Sequence, residues 1–137
     1  MKTDLHLHFE GTCAEAFAFY EKTFNSKIQM CMKFSEAPGE MPVPPDMKDK
    51  VMHMSMPLGS MLLMGCDAPP DRATPMGGFQ ISVSLADEAE VNRLYATLSE
   101  GGSVQMPLMK TFWSPLFGMC MDKFGVAWMV SVPGPQM

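Results

Sequence analysis

Residues 111–130 read TFWSPLFGMCMDKFGVAWMV and contain two apolar runs on either side of the acidic turn 122–125. A turn that begins with Asp122 and ends with Gly125 is normal hairpin chemistry, because Asp bonds to the backbone ahead of it and Gly adopts positive φ. The stretch therefore predicts two extended segments, at about 115–121 and 126–132, joined by a structural turn.

Two helices with the same opening pattern precede and follow the middle of the chain. Each begins with a capping residue, a Glu three positions later and a Tyr eight positions later: Thr12, Glu15 and Tyr20 in the first, and Asp87, Glu90 and Tyr95 in the second. The capping side chain accepts from a free backbone N–H, and the Glu answers it. Apolar residues then follow the helical period, namely Cys13, Phe17, Tyr20 and Phe24, and Val91, Leu94, Tyr95 and Leu98. The spacing predicts two related amphipathic helices.

An alternating segment precedes each helix, LHLHF at 5–9 and FQISVSL at 79–85. Period-two alternation is typical of a strand with one apolar and one polar face. Further extended segments are predicted at about 27–34, 50–57, 60–66 and 103–107, so the chain reads as strand–helix–strand–strand–strand, twice. We predict an α+β fold in a single domain, 1–137, with module one at about 1–67 and module two at about 77–134. The turn-rich stretch 66–78 separates them.

Bulk properties exclude several classes of partner. The net charge of −5 makes nucleic acid and anionic membrane surfaces poor partners. No apolar run approaches the roughly 20 residues that span a bilayer. The N-terminal MKTDLHLHFEG is not a signal peptide by pattern, and the four cysteines form no CxxC pair. We therefore expect reduced thiols and a cytoplasmic location, with no nucleic-acid or membrane partner.

Three stretches carry a family resemblance: FEGTCAEAFAFYEKTF (9–24), KVMHMSMPLGSMLLMGCD (50–67) and MPLMKTFWSPLFGMCMDKFGVAWMV (106–130). They resemble the PhnB-like branch of the vicinal-oxygen-chelate superfamily, which includes glyoxalase I, extradiol dioxygenases and bleomycin-resistance proteins. The resemblance implies two βαβββ modules that form a cup-shaped half-barrel, commonly assembled as a homodimer. Some members carry the label demethylubiquinone methyltransferase. That activity is not expected here, because the chain lacks a glycine-rich strand-to-helix turn for a nucleotide-like cofactor.

The resemblance also implies a divalent ion held by His and Glu residues from the first and last strands of each module. In this chain the first strand offers His6 or His8, but the strand at 60–66 offers only apolar residues before Asp67. Module two offers Gln80, Ser82 and Ser84 on its first strand, and Met129 where the family places Glu. A thioether is a poor ligand for Mg²⁺, Mn²⁺ or Zn²⁺. We therefore predict no metal site and no cofactor. The 17 Met residues are scattered, which argues against a Met-rich copper site.

Other reactive residues have structural alternatives. His53, among methionines, is a core or pocket residue or else an acid–base group, and His8 has the same two interpretations. Trp113 either closes over a ligand or packs in a core or dimer contact. The predicted ligand-binding wall comprises His8, His53, Gln80, Ser82, Trp113 and Met129. Cys13, at a helix start but on its apolar face, is expected to be buried and inert, and Cys66 and Cys120 are expected to be packing residues.

Two functions follow, and the sequence does not choose a ligand for either. The first is a PhnB-like protein that binds a small apolar or aromatic molecule in its cup, without a full metal site. The second is a metal-dependent or His-assisted lyase, isomerase or dioxygenase of the glyoxalase type. A purely structural dimerisation module is a third interpretation.

Overall fold

The computed structural model describes residues 1–39 and 43–135. The chain divides into a first unit, Met1–Pro75, and a second unit that starts at Met76. The first contains β1 (Leu5–Phe9), α1 (Cys13–Phe24), β2 (Met30–Lys33), β3 (Val51–Leu58) and β4 (Met61–Asp67). The second contains β5 (Ile81–Ser84), α2 (Glu88–Ser99), β6 (Ser103–Met109), β7 (Leu116–Met121) and β8 (Ala127–Val132). The predicted α+β order, strand–helix–strand–strand–strand in each half, is confirmed.

Each unit is a four-stranded mixed sheet with the same connectivity. The strand orders are β1-β4-β3-β2 and β5-β8-β7-β6. The first strand of each unit runs parallel to the last, and the remaining neighbours are antiparallel. Each helix lies in the crossover that parallel pairing requires, while short turns join the antiparallel neighbours β3 and β4, and β7 and β8. No helix in the described parts of the chain is long and apolar enough to cross a membrane.

Each helix packs its predicted apolar face on one face of its own sheet. α1 buries Cys13, Phe17 and Tyr20, and all four predicted residues of α2 are buried. Glycines on the sheets make room for helix aromatics. A Cβ on Gly65 would lie 2.6 Å from the ring of Phe17, and one on Gly118 would lie 2.8 Å from the ring of Tyr95.

The two helices begin by different devices, and one prediction is wrong. Asp87 caps α2 as expected, its carboxylate accepting from the N–H of Ala89 at 2.9 Å. Thr12 makes no such bond at the start of α1. There the buried carboxylate of Asp67, at the end of β4, accepts from the N–H groups of Gly11 and Cys13 at 2.9 and 3.0 Å. A carboxylate acceptor from the sheet replaces the local hydroxyl, and it also ties the helix to β4.

The turn between β7 and β8 is structural, as predicted. Asp122 Oδ1 accepts from the N–H groups of Phe124 and Val126, at 2.8 and 3.1 Å, and Gly125 adopts φ +88°. Asp122 Oδ2 also accepts from the indole Nε1–H of Trp128 at 2.9 Å. The acidic residue of this turn is therefore a buried anchor for the tryptophan of the last strand.

Candidate functional site

The sheet face opposite α1 carries imidazole and thiol side chains of the first unit. Leu7 and Phe9 of β1 are buried, so the alternate residues His6 and His8 lie on the other face. In the parallel pairing with β4, His6 lies opposite Met64 and His8 opposite Cys66. Paired residues share a face, so these four side chains lie together.

Two further residues extend this face across β3. Ser55 pairs with Met64 in the ladder between β3 and β4, and His53 lies two residues earlier on the same side. The ring centroids of His6 and His53 are 5.8 Å apart. All three histidines of the chain are therefore neighbours on one sheet face.

His6, His8 and Cys66 form the tightest group on that face. The Sγ of Cys66 lies 3.4 Å from Nδ1 of His8, and the ring centroids of His6 and His8 are 4.9 Å apart. One ligand atom from each of the three side chains lies within 4.8 Å of the other two. We call these three residues the His6–His8–Cys66 cluster.

The environment favours the uncharged forms of His6 and Cys66. Burial lowers the pKa of His6, and repulsion from His8 and His53 lowers it further. Burial also raises the pKa of Cys66, with a smaller contribution from the neighbouring carboxylate of Asp67. Cys66 is therefore a thiol at neutral pH, adjacent to an imidazole nitrogen that can take part in a hydrogen bond with it.

A cavity of about 760 Å³ adjoins the cluster within the first unit. His8 and Cys66 form part of its wall, together with apolar side chains and the ends of neighbouring loops. The remaining lining residues are Phe34, Val43, Pro44, Met52, Asp67, Ala68, Pro69, Asp71 and Arg72. The lining is mainly apolar with a few polar groups, which is the usual character of a small-molecule site.

The predicted ligand-binding residues of the second unit lie on its own sheet and loops. Ser82 is paired with Met129 in the ladder between β5 and β8. The amide of Gln80 lies 3.3 Å from the sulfur of Met119, which is itself paired with Met129. These three predicted residues, Gln80, Ser82 and Met129, are thus neighbours.

Trp113 is held in an aromatic group. Its ring lies edge-on to Phe117 and to the exposed Phe112, with centroid distances of 5.3 and 4.7 Å. In the first unit, His8 lines the cavity, whereas His53 contacts His6 and is not among the lining residues. A role in ligand binding stays a prediction for all six.

The residues present do not fit the four-ligand His and Glu set that the family resemblance implies. The second unit has Ser82 and Ser84 on β5 and Met129 on β8, and none of these is a strong ligand for a hard divalent ion. On β4 the side chains that share a face with the histidines are Met64 and Cys66 rather than a carboxylate. Asp67 is committed elsewhere, since its two oxygens accept from Gly11, Cys13 and Val51.

Sequence reasoning placed two cysteines correctly and missed the position of a third. Cys13 and Cys120 are fully buried, and burial raises the pKa of both thiols, that of Cys120 to about 11. Cys66 is only partly buried and faces His8 and the cavity, so its interpretation as a packing residue is wrong. Its place in the alternation of β4 was the available signal, but the pairing with β1 was needed to use it. Arg72 carried no signal, because it lies outside the periodic segments, and Phe34 ends the predicted extended segment 27–34, where the alternation alone does not indicate a cavity.

Comparison with known proteins places this arrangement in a family. Residues 1–131 match the family model described as 3-demethylubiquinone-9 3-methyltransferase. The crystal structure of protein PA1353 from Pseudomonas aeruginosa is similar, with 39% identity, a TM-score of 0.85, and coverage of 96% of this chain and 98% of that one. The PhnB protein from Bacillus cereus is 27% identical, with a TM-score of 0.80 and coverage of 96% and 99%.

A more distant structure shows the fold alone. The glyoxylase/bleomycin resistance protein/dioxygenase domain from Frankia sp. EAN1pec is 11% identical, with a TM-score of 0.68 and coverage of 97% of each chain. The predicted fold family is thereby confirmed. On the family match, this chain belongs to the PhnB-like family, the family whose model bears the methyltransferase description.

Proposed function

We propose that the chain binds a small apolar or aromatic molecule, and that the cavity of the first unit receives it. The observation that carries the proposal is the cavity itself. Its volume of about 760 Å³ falls in the range of about 300–1,000 Å³ typical of ligand pockets. Binding of this kind needs no four-ligand metal set, which agrees with the residues present.

The lining supports an apolar ligand with a polar end. Phe34, Met52 and the prolines offer apolar contact, and the flexible thioether of Met52 adapts to different shapes. Arg72 and Asp71 are exposed residues of the same wall, so one end of a ligand has charged neighbours. A planar hydrocarbon body with one polar substituent is the class that this wall suits best.

A matched pair of Phe substitutions tests the proposal. The probe is N-phenyl-1-naphthylamine, a neutral aromatic amine whose fluorescence rises in apolar surroundings. We expect the wild-type chain to bind it with micromolar affinity and Phe34→Ala to weaken binding at least fivefold, because that ring forms part of the wall. Phe112→Ala removes an equally large ring that is 89% exposed, and it is expected to leave the affinity unchanged.

Two results would count against the cavity. Binding weaker than millimolar would remove the small-molecule function, and equal losses in the two variants would place the probe elsewhere. A thermal-shift screen of small aromatic and carbonyl compounds then narrows the chemical class of the ligand. A compound that binds only the folded chain raises the melting temperature of the chain. The homodimer stays a prediction, which sedimentation velocity of the purified chain checks.

A further inference from the structure

The His6–His8–Cys66 cluster has the composition of a transition-metal site, which the sequence argument did not foresee. Single strand positions do not supply the His and Glu set, but two histidines of one strand and the thiol of the strand beside it lie together. We propose that these three residues bind one Zn²⁺ ion at the wall of the first unit's cavity. The inference departs from the prediction of no metal, and it does not depend on what fills the cavity.

The distances are close to those of a zinc site. Zn–S and Zn–N bonds of about 2.3 and 2.0–2.1 Å at a tetrahedral angle separate sulfur and nitrogen by about 3.6 Å. The Sγ of Cys66 and Nδ1 of His8 are 3.4 Å apart. The ligand atoms of the cluster all lie within 4.8 Å of one another, so about 1 Å of side-chain adjustment completes a three-ligand arrangement.

The backbone makes this arrangement rigid. His6 and His8 are two residues apart on β1, and Cys66 lies directly opposite His8 on the paired strand β4. A ligand set built on paired strands holds its geometry better than one on loops. None of the three residues is a packing residue of the core, since the face toward α1 is filled by Leu7, Phe9 and Leu63.

The ligand chemistry favours zinc over the hard divalent ions. Two imidazoles and a thiolate suit Zn²⁺, whereas Mg²⁺, Ca²⁺ and Mn²⁺ prefer oxygen ligands. Binding replaces the S–H bond of Cys66 with a Zn–S bond, and the proton passes to the buffer without any change of oxidation state. Three protein ligands leave a fourth position open, as in catalytic zinc sites. Because His8 and Cys66 line the cavity, a molecule bound there can reach that position.

The decisive experiment measures metal binding to the whole purified chain, stripped with a chelator and kept reduced. Isothermal titration with Zn²⁺ is expected to show one ion per chain at micromolar affinity or tighter. Co²⁺ is expected to give a near-ultraviolet thiolate-to-metal charge-transfer band. Cys66→Ser should abolish that band and weaken Zn²⁺ binding at least thirtyfold, and His8→Ala should weaken it comparably. Cys31→Ser, which removes an exposed thiol of the same unit, should change neither.

Each contrary result overturns the proposal. A dissociation constant for Zn²⁺ above about 100 μM, as weak as that of adventitious sites, would mean that the cluster holds only a thiol–imidazole hydrogen bond. Zn²⁺ binding that survives Cys66→Ser would place the ion elsewhere. A chain that takes Cu⁺ but not Zn²⁺, and loses it in Met64→Leu, would make the face a copper site that uses a thioether. Circular dichroism of each variant confirms that a loss of binding is not a loss of folding.

Discussion

The two units share a topology and differ in what their sheets present away from the helix. In both, a buried aspartate accepts three N–H bonds near the turn of a late strand: Asp67 in the first unit and Asp122 in the second. The opposite faces diverge. By strand and face, His6, His8 and Cys66 correspond to Ser82, Ser84 and Ser131.

This difference separates the residues that stabilise the fold from the residues that can bind a ligand. The features that the units share are the strand order and a buried aspartate that anchors neighbouring N–H groups, at the start of α1 in the first unit and in the turn before β8 in the second. The features that differ are ligand-type side chains. A hydroxyl in place of imidazole or thiol is a much weaker ligand for zinc. The repeated framework therefore carries distinct chemistry in its two copies: on the sheet face away from the helix, the described residues place imidazole groups and the thiol of Cys66 in the first unit and serine hydroxyls at the corresponding positions of the second.

Removing either buried aspartate is expected to give the largest loss of unfolding free energy. Asp122→Ala leaves the N–H groups of Phe124, Val126 and Trp128 without their acceptor, and we expect a loss of about 3 to 5 kcal/mol in unfolding free energy. Asp67→Ala is expected to cost a similar amount, because it too removes the acceptor of three N–H groups. Urea denaturation followed by circular dichroism measures both.

An exposed carboxylate provides the control for this pair. Asp71→Ala should change the unfolding free energy by no more than about 0.5 kcal/mol, since it lies on the surface. If only one of the two buried aspartates proves costly, the two units do not rely on the same anchor.

Thiol reactivity distinguishes the cysteines of the two late strands. Cys120 is fully buried and burial raises its pKa to about 11, whereas Cys66 lines the cavity. At pH 8 a disulfide reagent is therefore expected to modify Cys66 at least a hundredfold faster than Cys120, a difference of about 2.8 kcal/mol in activation free energy. Peptide mass spectrometry after timed quenching assigns the sites.

Denaturant provides the control for the thiol experiment. In urea that unfolds the chain, Cys66 and Cys120 should react at rates within a few-fold of each other, because burial no longer separates their pKa values. Equal rates in the folded chain would mean that Cys66 is as inaccessible as a core residue, and the cavity assignment would fail with it.

The glycines under the two helices are expected to respond unequally. Gly118→Ala forces a Cβ toward the ring of Tyr95. The hydroxyl of Tyr95 lies 2.9 Å from the backbone carbonyl oxygen of Met106 and 3.3 Å from that of Met119, so a hydrogen bond holds this ring in place. The Cβ added by Gly65→Ala would contact the ring of Phe17, which carries no hydrogen-bonding group to hold it in place. We expect losses of about 3 and about 2 kcal/mol, respectively, in thermal or urea unfolding.

A second substitution shows whether crowding is the cause. Phe17→Leu removes the ring atoms that the new Cβ would meet, so it should recover part of the stability lost in Gly65→Ala. Additive losses in the double variant would instead point to the backbone of β4 rather than to the helix contact.

Local patterns in the sequence were enough to predict the order of strands and helices, while the arrangement of the two modules came from the family resemblance. Both helices, their buried faces and the turn at Asp122 depend on residues a few positions apart, where period and turn chemistry act. The start of α1 was predicted for the wrong reason. Its acceptor, Asp67, lies 54 residues from Cys13, and no local pattern reports a bond of that span.

The candidate site was predicted only in part for the same physical reason. His8 was selected from the polar face of β1, but its partner Cys66 lies 58 residues away and meets it through strand register. A shift of one residue would have turned that thiol toward the helix. The cavity also needs loop residues such as Pro69 and Arg72, for which the sequence has no periodic signal.

The smallest expected effect concerns two buried serines of the second unit. Ser131 is fully buried and its hydroxyl has no hydrogen-bond partner among the described residues, so Ser131→Ala should stabilise the chain by up to about 1 kcal/mol. Ser114 is its matched control. Its hydroxyl lies 2.8 and 2.6 Å from the carbonyls of Leu116 and Val132, and Ser114→Ala should cost about 1 to 2 kcal/mol. Urea unfolding measures both, and a cost above about 1 kcal/mol for Ser131→Ala would reveal a buried water bonded to that hydroxyl. Such a water would make the second unit's face, at the position of Cys66 in the first, a polar site in its own right.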